Sequence, residues 1–307
     1  MRISSCSRNL KWAAGTAAVT ICLVGSAGQI AAATLVAGSS RAGVATPTRV
    51  GVTLDANTDS AIFAREGKTR DALGFPVGVK RIGQHVRDGF QKAEYDEVTE
   101  LDSGGNVEAI TDFDATGHLR TAVRLDPAPQ GGPNVGRDAA IRTAQRSAVA
   151  AGLGVGTPSS TDADEAIGGW TIHWLRMQDG VRVRGDETRV QVRPDGRIAS
   201  VALAQHDLDP AAVRRLGSDD ARQVATGNLN SWFAGRNSGY SIQKVDLEWV
   251  GPNAAFDPSQ VDAPERPYRL AWVTEVKPSG DAAKYVWQIS LFVDATDGSI
   301  IGGDFVE

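Results

Sequence analysis

Three times this chain passes from an alternating strand through a corner of Asp and Gly into a short returning strand. The runs are residues 113–119, 192–198 and 293–301. Their corners read Asp114-Ala115-Thr116-Gly117, Pro194-Asp195-Gly196 and Asp294-Ala295-Thr296-Asp297-Gly298. An Asp carboxylate accepts backbone N–H groups just downstream, and Gly enters the left-handed region without a Cβ penalty, so each corner reverses the chain tightly. A chain punctuated this way is committed to antiparallel β-structure. Two further reversals support that reading. Residues 95–101 and 107–113 alternate around Ser103-Gly104-Gly105-Asn106. Residues 180–192 alternate small or apolar with charged side chains, break at Gly185-Asp186 to form a hairpin, and resume.

Two stretches change the apolar period from two to three or four, the mark of a helix. Residues 138–151 place Ala140, Ile141, Ala144, Ala148 and Ala151 on one face, with Asn134 or Asp138 as a cap and Gly152 as a stop. Residues 218–233 do the same with Ala221, Val224, Ala225, Leu229, Trp232 and Phe233, behind a cap at Ser218-Asp219-Asp220. Strands follow each helix. Trp170, Ile172 and Trp174 share one face of the first set, and residues 241–250, 268–276 and 285–293 form the second. Helix then antiparallel strands, repeated, predicts an α+β fold of tandem units, each with one helix packed on a small curled antiparallel sheet. The predicted organisation is a signal peptide at 1–33, a flexible spacer at 34–60, a small β-rich region at 61–126 and two α+β units at 134–208 and 217–307. The Pro- and Gly-rich run at 126–133 is the linker ahead of the first unit. Residues 300–305 either complete the last sheet or form a mobile strand that enters a partner's cleft.

The hairpin at 180–198 resembles the propeptide signature of secreted thermolysin- and fungalysin-type metalloproteases. The last unit resembles a PepSY domain, through Tyr268-Arg269-Leu270-Ala271-Trp272, Val286-Trp287-Gln288-Ile289 and the exit Val293-Asp294-Ala295-Thr296-Asp297-Gly298. That exit has one residue more before Gly298 than the typical form. The two motifs span residues 137–305, in the order found in metalloprotease prosegments, whereas residues 60–126 resemble no family. The helical His-Glu-x-x-His zinc motif of those proteases does not occur in the sequence. The resemblance implies a PepSY- or cystatin-like fold and a non-catalytic role, because prosegments of this type fold beside their protease and occupy its cleft. It carries over no single inhibitory contact.

The residues themselves point away from catalysis. His85, His118, His173 and His206 occur singly, with no His-x-x-x-His pair to start a zinc site. There is no Gly-x-Ser-x-Gly elbow and no glycine-rich phosphate loop. Asp294, Asp297 and the run Asp162-Ala163-Asp164-Glu165 offer oxygen ligands for calcium, yet turn geometry already accounts for the first two. No catalytic, cofactor-binding or metal residue is assigned, no cofactor is expected, and the chain reads as a non-enzyme. Most of Trp170, Trp174, Trp232, Trp249, Trp272 and Trp287 are expected to fill the thin cores of the two units. Any that stays exposed becomes a partner contact.

The N-terminus reads as an export signal. Arg2, Arg8 and Lys11 frame the start of an uncharged run at 12–26, and Ala31-Ala32-Ala33 offers a cleavage site before Thr34. An uncleaved N-terminal anchor is the alternative. Cleavage would remove both cysteines, Cys6 and Cys22, and three positive charges, moving the formal net charge from −5 to −8. An acidic exported protein is a poor partner for nucleic acid or anionic lipid. The expectation is a secreted, non-catalytic protein that binds and restrains an extracellular peptidase, the resemblance implying a metallopeptidase. The alternatives are a cell-envelope interaction or assembly protein using the same fold as a binding surface, and an undetected hydrolase.

Overall fold

A computed structural model of the protein describes residues 49–53, 60–88, 93–127, 134–164, 168–235, 237–253, 255 and 266–306. The predicted signal peptide, nearly all of the spacer, most of the linker and Glu165 lie outside the described residues. The chain divides into two compact units, residues 1–49 with 88–93, and residues 50–87 with 94–307. The first is described only at the strand ends Arg49, Asp88 and Ala93. The second contains the fold.

The elements begin with β1 (Arg49–Thr53), α1 (Ser60–Leu73), β2 (Lys80–Asp88), β3 (Ala93–Leu101), β4 (Val107–Asp114) and β5 (Leu119–Arg124). Next come α2 (Arg137–Ala150), β6 (Ser160–Asp164), β7 (Gly169–Gln178), β8 (Val181–Val192) and β9 (Ile198–Ala204). The chain finishes with α3 (Ser218–Phe233), β10 (Ser238–Val250), β11 (Arg269–Gly280), a 3-10 turn at Ala282–Lys284, β12 (Gln288–Asp294) and β13 (Ile300–Val306).

All thirteen strands join one mixed sheet, ordered β1-β2-β3-β4-β5-β9-β8-β10-β11-β12-β13, with β7 added to β8 and β6 to β7. This corrects the expected tandem of small separate sheets. Two ladders fuse what alternation and turns suggested as separate. β5 pairs antiparallel with β9 through Thr121↔Ala202, Ala122↔Val201 and Val123↔Ser200. β10 pairs parallel with β8 at Glu248↔Arg182 and Trp249↔Val183. A small sheet leaves a row of N–H and C=O groups unpaired along each edge, and joining edge to edge satisfies both rows.

The parallel ladder depends on a second correction. β8 runs through Gly185 without ending, and the β7–β8 hairpin turns instead at Asp179 (φ +51°) and Gly180 (φ +77°). Gly185 (φ +82°) belongs to an enlarged bulge. The register passes from Leu175↔Glu187 to Met177↔Arg182, so residues 183–186 lie opposite Arg176 alone. The bulge brings Val183 to β10 and buries Asp186.

α2 and α3 are seated by the same device. Both begin at a glycine N-cap, Gly136 and Gly217, without the side-chain caps that the sequence suggested. Four, eight and twelve residues on, Ala140, Ala144 and Ala148 are buried in one helix, and Ala221, Ala225 and Leu229 in the other. Small side chains let each helix lie close on the sheet. Just ahead of each cap, a strand tryptophan donates its indole N–H to a carbonyl: Trp170 to Val135 O at 2.9 Å, and Trp272 to Leu216 O at 2.9 Å. The same two residues donate their N–H to the Asp-and-Gly corners, Val135 to Pro194 O and Leu216 to Ala295 O, each at 2.8 Å. The chain therefore repeats a clasp within a shared sheet. Gly152 (φ +81°) closes α2 as expected, with Leu153 N donating to Ala148 O at 2.9 Å.

α1 has no counterpart in the sequence reading. Its buried positions are Ile62, Phe63, Glu66, Thr69 and Leu73, a helical spacing whose middle is occupied by polar residues. Burial follows the helical period there, but hydropathy does not. One core cluster gathers α1 and α2 residues with Phe113, Ile172, Trp174 and Val190. A second gathers α3 residues with Val183, Trp249, Trp272 and Leu291. Val250, Ala271, Val273 and Phe292 form a third, on the opposite face of β10–β12 by strand alternation. Among the described residues, no helix is long and apolar enough to cross a membrane.

Candidate functional site

Three buried polar clusters and one exposed apolar surface stand out from this framework. The first cluster is made by the β8 bulge. Asp186 is fully buried and accepts from Arg176 Nη1 at 2.8 Å, from the His206 backbone N–H at 2.9 Å, and pairs with His206 Nδ1 at 2.5 Å. The His206 ring stacks on Tyr268 at 4.4 Å between centroids. A buried carboxylate fixing an imidazole is half of a hydrolytic triad. Here the same groups join the segment after β9 to Tyr268 just ahead of β11 through a parallel bridge, since Tyr268 N donates to Asp207 O at 2.7 Å and Asp209 N to Tyr268 O at 2.9 Å. The pair is built as a strut.

The second cluster centres on Arg184. Its guanidinium donates to Glu248 Oε2 at 3.0 Å on β10, to Ser290 Oγ at 3.3 Å on β12 and to Asp304 Oδ2 at 3.0 Å on β13. Its carbon Cζ lies 5.5 Å above the Phe292 ring. In a flat sheet β8 and β13 would stand about 19 Å apart, four strand spacings, beyond the reach of any arginine. The sheet therefore curls, and Arg184 closes the concave side.

The third lies under α1. Glu66 and Glu100 are both buried. Glu100 accepts from Gly78 N at 2.8 Å and from Arg70 Nη1 at 3.1 Å. Glu66 is held more loosely, with Arg81 Nη1 at 3.4 Å and Arg70 Nη1 at 3.8 Å. Burial, and then the neighbouring Glu100, push the Glu66 carboxyl up to about 7 against the pull of the two arginines. An open concavity of about 700 Å³ beside it is lined by Phe63, Lys68, Asp71 and Arg81, and not by either glutamate.

The singled-out histidines and carboxylates fall into structural pairings. His85 meets Asp96 at 2.9 Å, and His118 meets Thr116 Oγ1 at 2.8 Å. His173 meets Glu187 at 3.0 Å, and that bond, with Arg189, draws the Glu187 carboxyl down to about 2. Asp294 accepts from Thr296 N at 2.7 Å, Asp297 from Ser299 N at 2.9 Å, and Asp164 from Thr171 Oγ1 at 2.7 Å. Asp162 lies 3.7 Å from His173 Nε2. Among the described residues, no group of three or more His, Cys, Asp or Glu is placed to hold a metal ion.

The tryptophans divide. Trp174, Trp249 and Trp272 are buried and Trp170 and Trp232 half-buried, but Trp287 is 67% exposed. Beside it Tyr285 is 75% exposed, and Phe305 and Val306 are exposed as well. These four sit at one end of the β11–β13 region, where Trp287 N donates to Val306 O at 2.7 Å and Ile289 is paired with Phe305. A concavity of about 510 Å³ is lined by Asn230, Phe233, Ser238 and Tyr240, and Ser238 Oγ on its rim accepts from Ala282 N at 2.9 Å. The sequence predicts core positions for most of the tryptophans and a partner contact for any left exposed, without saying which; Trp287 is the exposed one. Its partner in exposure, Tyr285, lay at a strand start and carried no signal of its own. No known protein family matches the chain, and no curated protein does.

Proposed function

We propose that this is a non-catalytic binding protein that acts outside the cell and restrains an extracellular peptidase. The observation that supports this most directly is the pair of exposed aromatics, Tyr285 and Trp287, grouped with Phe305 and Val306 at one end of the sheet. Large aromatics exposed together are costly in water and are the side chains that most often dominate binding. The export-like N-terminus and the prosegment-like hairpin and PepSY-like exit supply the compartment and the class of partner. The carboxylates and histidine of the first two polar clusters tie strands together, and those of the third tie α1 to the sheet, which fits a binding role.

The test is kinetic. The purified protein, in excess, should slow a metallopeptidase recovered from the same culture supernatant. Tyr285→Ala and Trp287→Ala should each weaken that effect about ten-fold or more while leaving thermal unfolding unchanged. Full peptidase activity in the presence of a large excess of folded protein would overturn the reading.

A further inference from the structure

β13 is the last strand of the sheet, and its outer side is not bare. Alternate residues of a strand aim their main-chain groups to opposite sides, so Ile301 and Gly303 present theirs away from β12. Asn253 meets both. Its side-chain amide donates to Gly303 O through Nδ2 at 3.0 Å and accepts from Gly303 N through Oδ1 at 3.0 Å. Its own backbone N–H donates to Ile301 O at 3.0 Å. A two-way exchange at one residue, with a further bond two residues away, is the pattern a neighbouring antiparallel strand would make. The carboxamide of Asn253 thus stands where a peptide group would stand.

The surroundings suit a main chain. Gly302 lies between the two paired residues with φ +149°, and a Cβ there would sit 2.7 Å from Asn253 Oδ1 and 2.9 Å from Asn253 N. The absence of a side chain lets backbone approach backbone. Asn253 itself is exposed, and its Oδ1 also accepts from Ala255 N at 3.0 Å, a local turn that presents the amide. Leaving therefore exchanges the part-buried bonds at Gly303 for the same bonds from an incoming backbone, while the Asn253 amide moves to water, at small net cost.

We infer that the outer edge of β13 at residues 301–303 is a main-chain recognition site for an extended peptide, occupied in the free protein by Asn253. The occupant adds as a strand, and its backbone replaces the Asn253 amide on Gly303 and the Asn253 N–H on Ile301. This site is separate from Tyr285 and Trp287, and its test does not depend on the peptidase.

The probe is a blocked synthetic peptide copying residues 300–306, with a second version N-methylated at its central glycine. The full-length protein, Asn253→Ala and Asn253→Asp are titrated with each. Asn253→Ala removes the internal competitor and should bind the plain peptide at least about ten-fold more tightly than the native protein. Asn253→Asp retains an acceptor for Gly303 N but sets a carboxylate against Gly303 O, and should also bind more tightly. The N-methylated peptide should bind neither. Folded variants that take up no peptide at about 1 mM, or that take the methylated version equally well, would overturn the site. So would an Asn253→Ala protein that dimerises and ignores the peptide, because the edge would then take only a second copy. Should neither variant fold, the Gly303 amide resonance of the native protein decides: a shift with peptide supports the site and an unmoved signal overturns it.

Discussion

A carboxyl group taken out of water and set beside a second carboxylate holds its proton to higher pH. Glu66 meets both conditions, buried on the inner face of α1 and facing Glu100, with Arg70 and Arg81 as its cationic neighbours of weight among the described residues. The other charges around α1 are placed elsewhere. Arg65 lies over Phe113, Arg124 donates to Gly74 O, and α2 buries only Ala140, Ala144 and Ala148. The folded-state value of about 7 lies above the ordinary 4.5. The stabilisation is therefore fully present below about pH 4.5 and lost as pH rises through 7. Discounted for the half-exposed Arg81 side, it amounts to about 2 kcal/mol. Denaturant unfolding from pH 5 to 8 should show the native protein losing about that much while Glu66→Gln gives a flatter profile. Parallel profiles would show that Glu66 does not titrate in this range.

At the scale of elements, the turns and strands differ in how far they can be removed. β13 pairs with β12 from Gln288↔Val306 to Val293↔Ile300, its Gly302 and Gly303 are buried, and its Asp304 receives Arg184. Of the two roles open to residues 300–305, it completes the sheet. Truncation before Ile300 should accordingly cost several kcal/mol and expose Phe292 and Leu291, with a large fall in melting temperature and binding of a hydrophobic dye. A truncated protein that melts like the native one would place β13 outside the cooperative fold. The sheet's other terminal strands are guarded differently. β6 is five residues long and carries Asp162 and Asp164, charges that discourage another chain from adding to it.

For the molecule as a whole, the decisive contact is between β8 and the strands that follow α3. The parallel ladder there has two rungs, and Arg184 adds bonds to β10, β12 and β13. Arg184→Ala leaves Glu248 buried without its 3.0 Å partner, with Arg182 Nη1 no nearer than 4.0 Å. Removing one member of a buried pair is expected to cost about 2–3 kcal/mol, whereas Arg184→Met with Glu248→Gln should recover most of the loss. Urea unfolding of the two variants checks this. A single substitution costing less than about 0.5 kcal/mol would show that the curl is held by packing alone.

How much of this was legible in the sequence follows from the range of the forces involved. The helix at 218–233, the strands after it and the reversals at Gly117, Gly196 and Gly298 were set by neighbours in the chain: apolar period, Asp side chains bonding just downstream, and glycines at φ +84°, +82° and +79°. The sequence could not reveal α1, because polar Glu66 and Thr69 occupy buried positions on its inner face, and the arginines that accompany Glu66 there, Arg70 and Arg81, are brought to it only by the fold. It misplaced the hairpin turn, since Gly185 bends a strand whose bulge is defined by β7 and β10. It offered separate sheets, in the β-rich region and in each α+β unit, where the chain builds one, because edge pairing between β5 and β9, or β8 and β10, leaves no local mark. Nor did it separate the exposed Trp287 from the buried Trp272, both of which sit in apolar strand-like runs. Local conformation is decided by adjacent residues. Which edges meet, which face is covered and which aromatic is left in water are decided only when distant segments compete to satisfy the same backbone and bury the same surface.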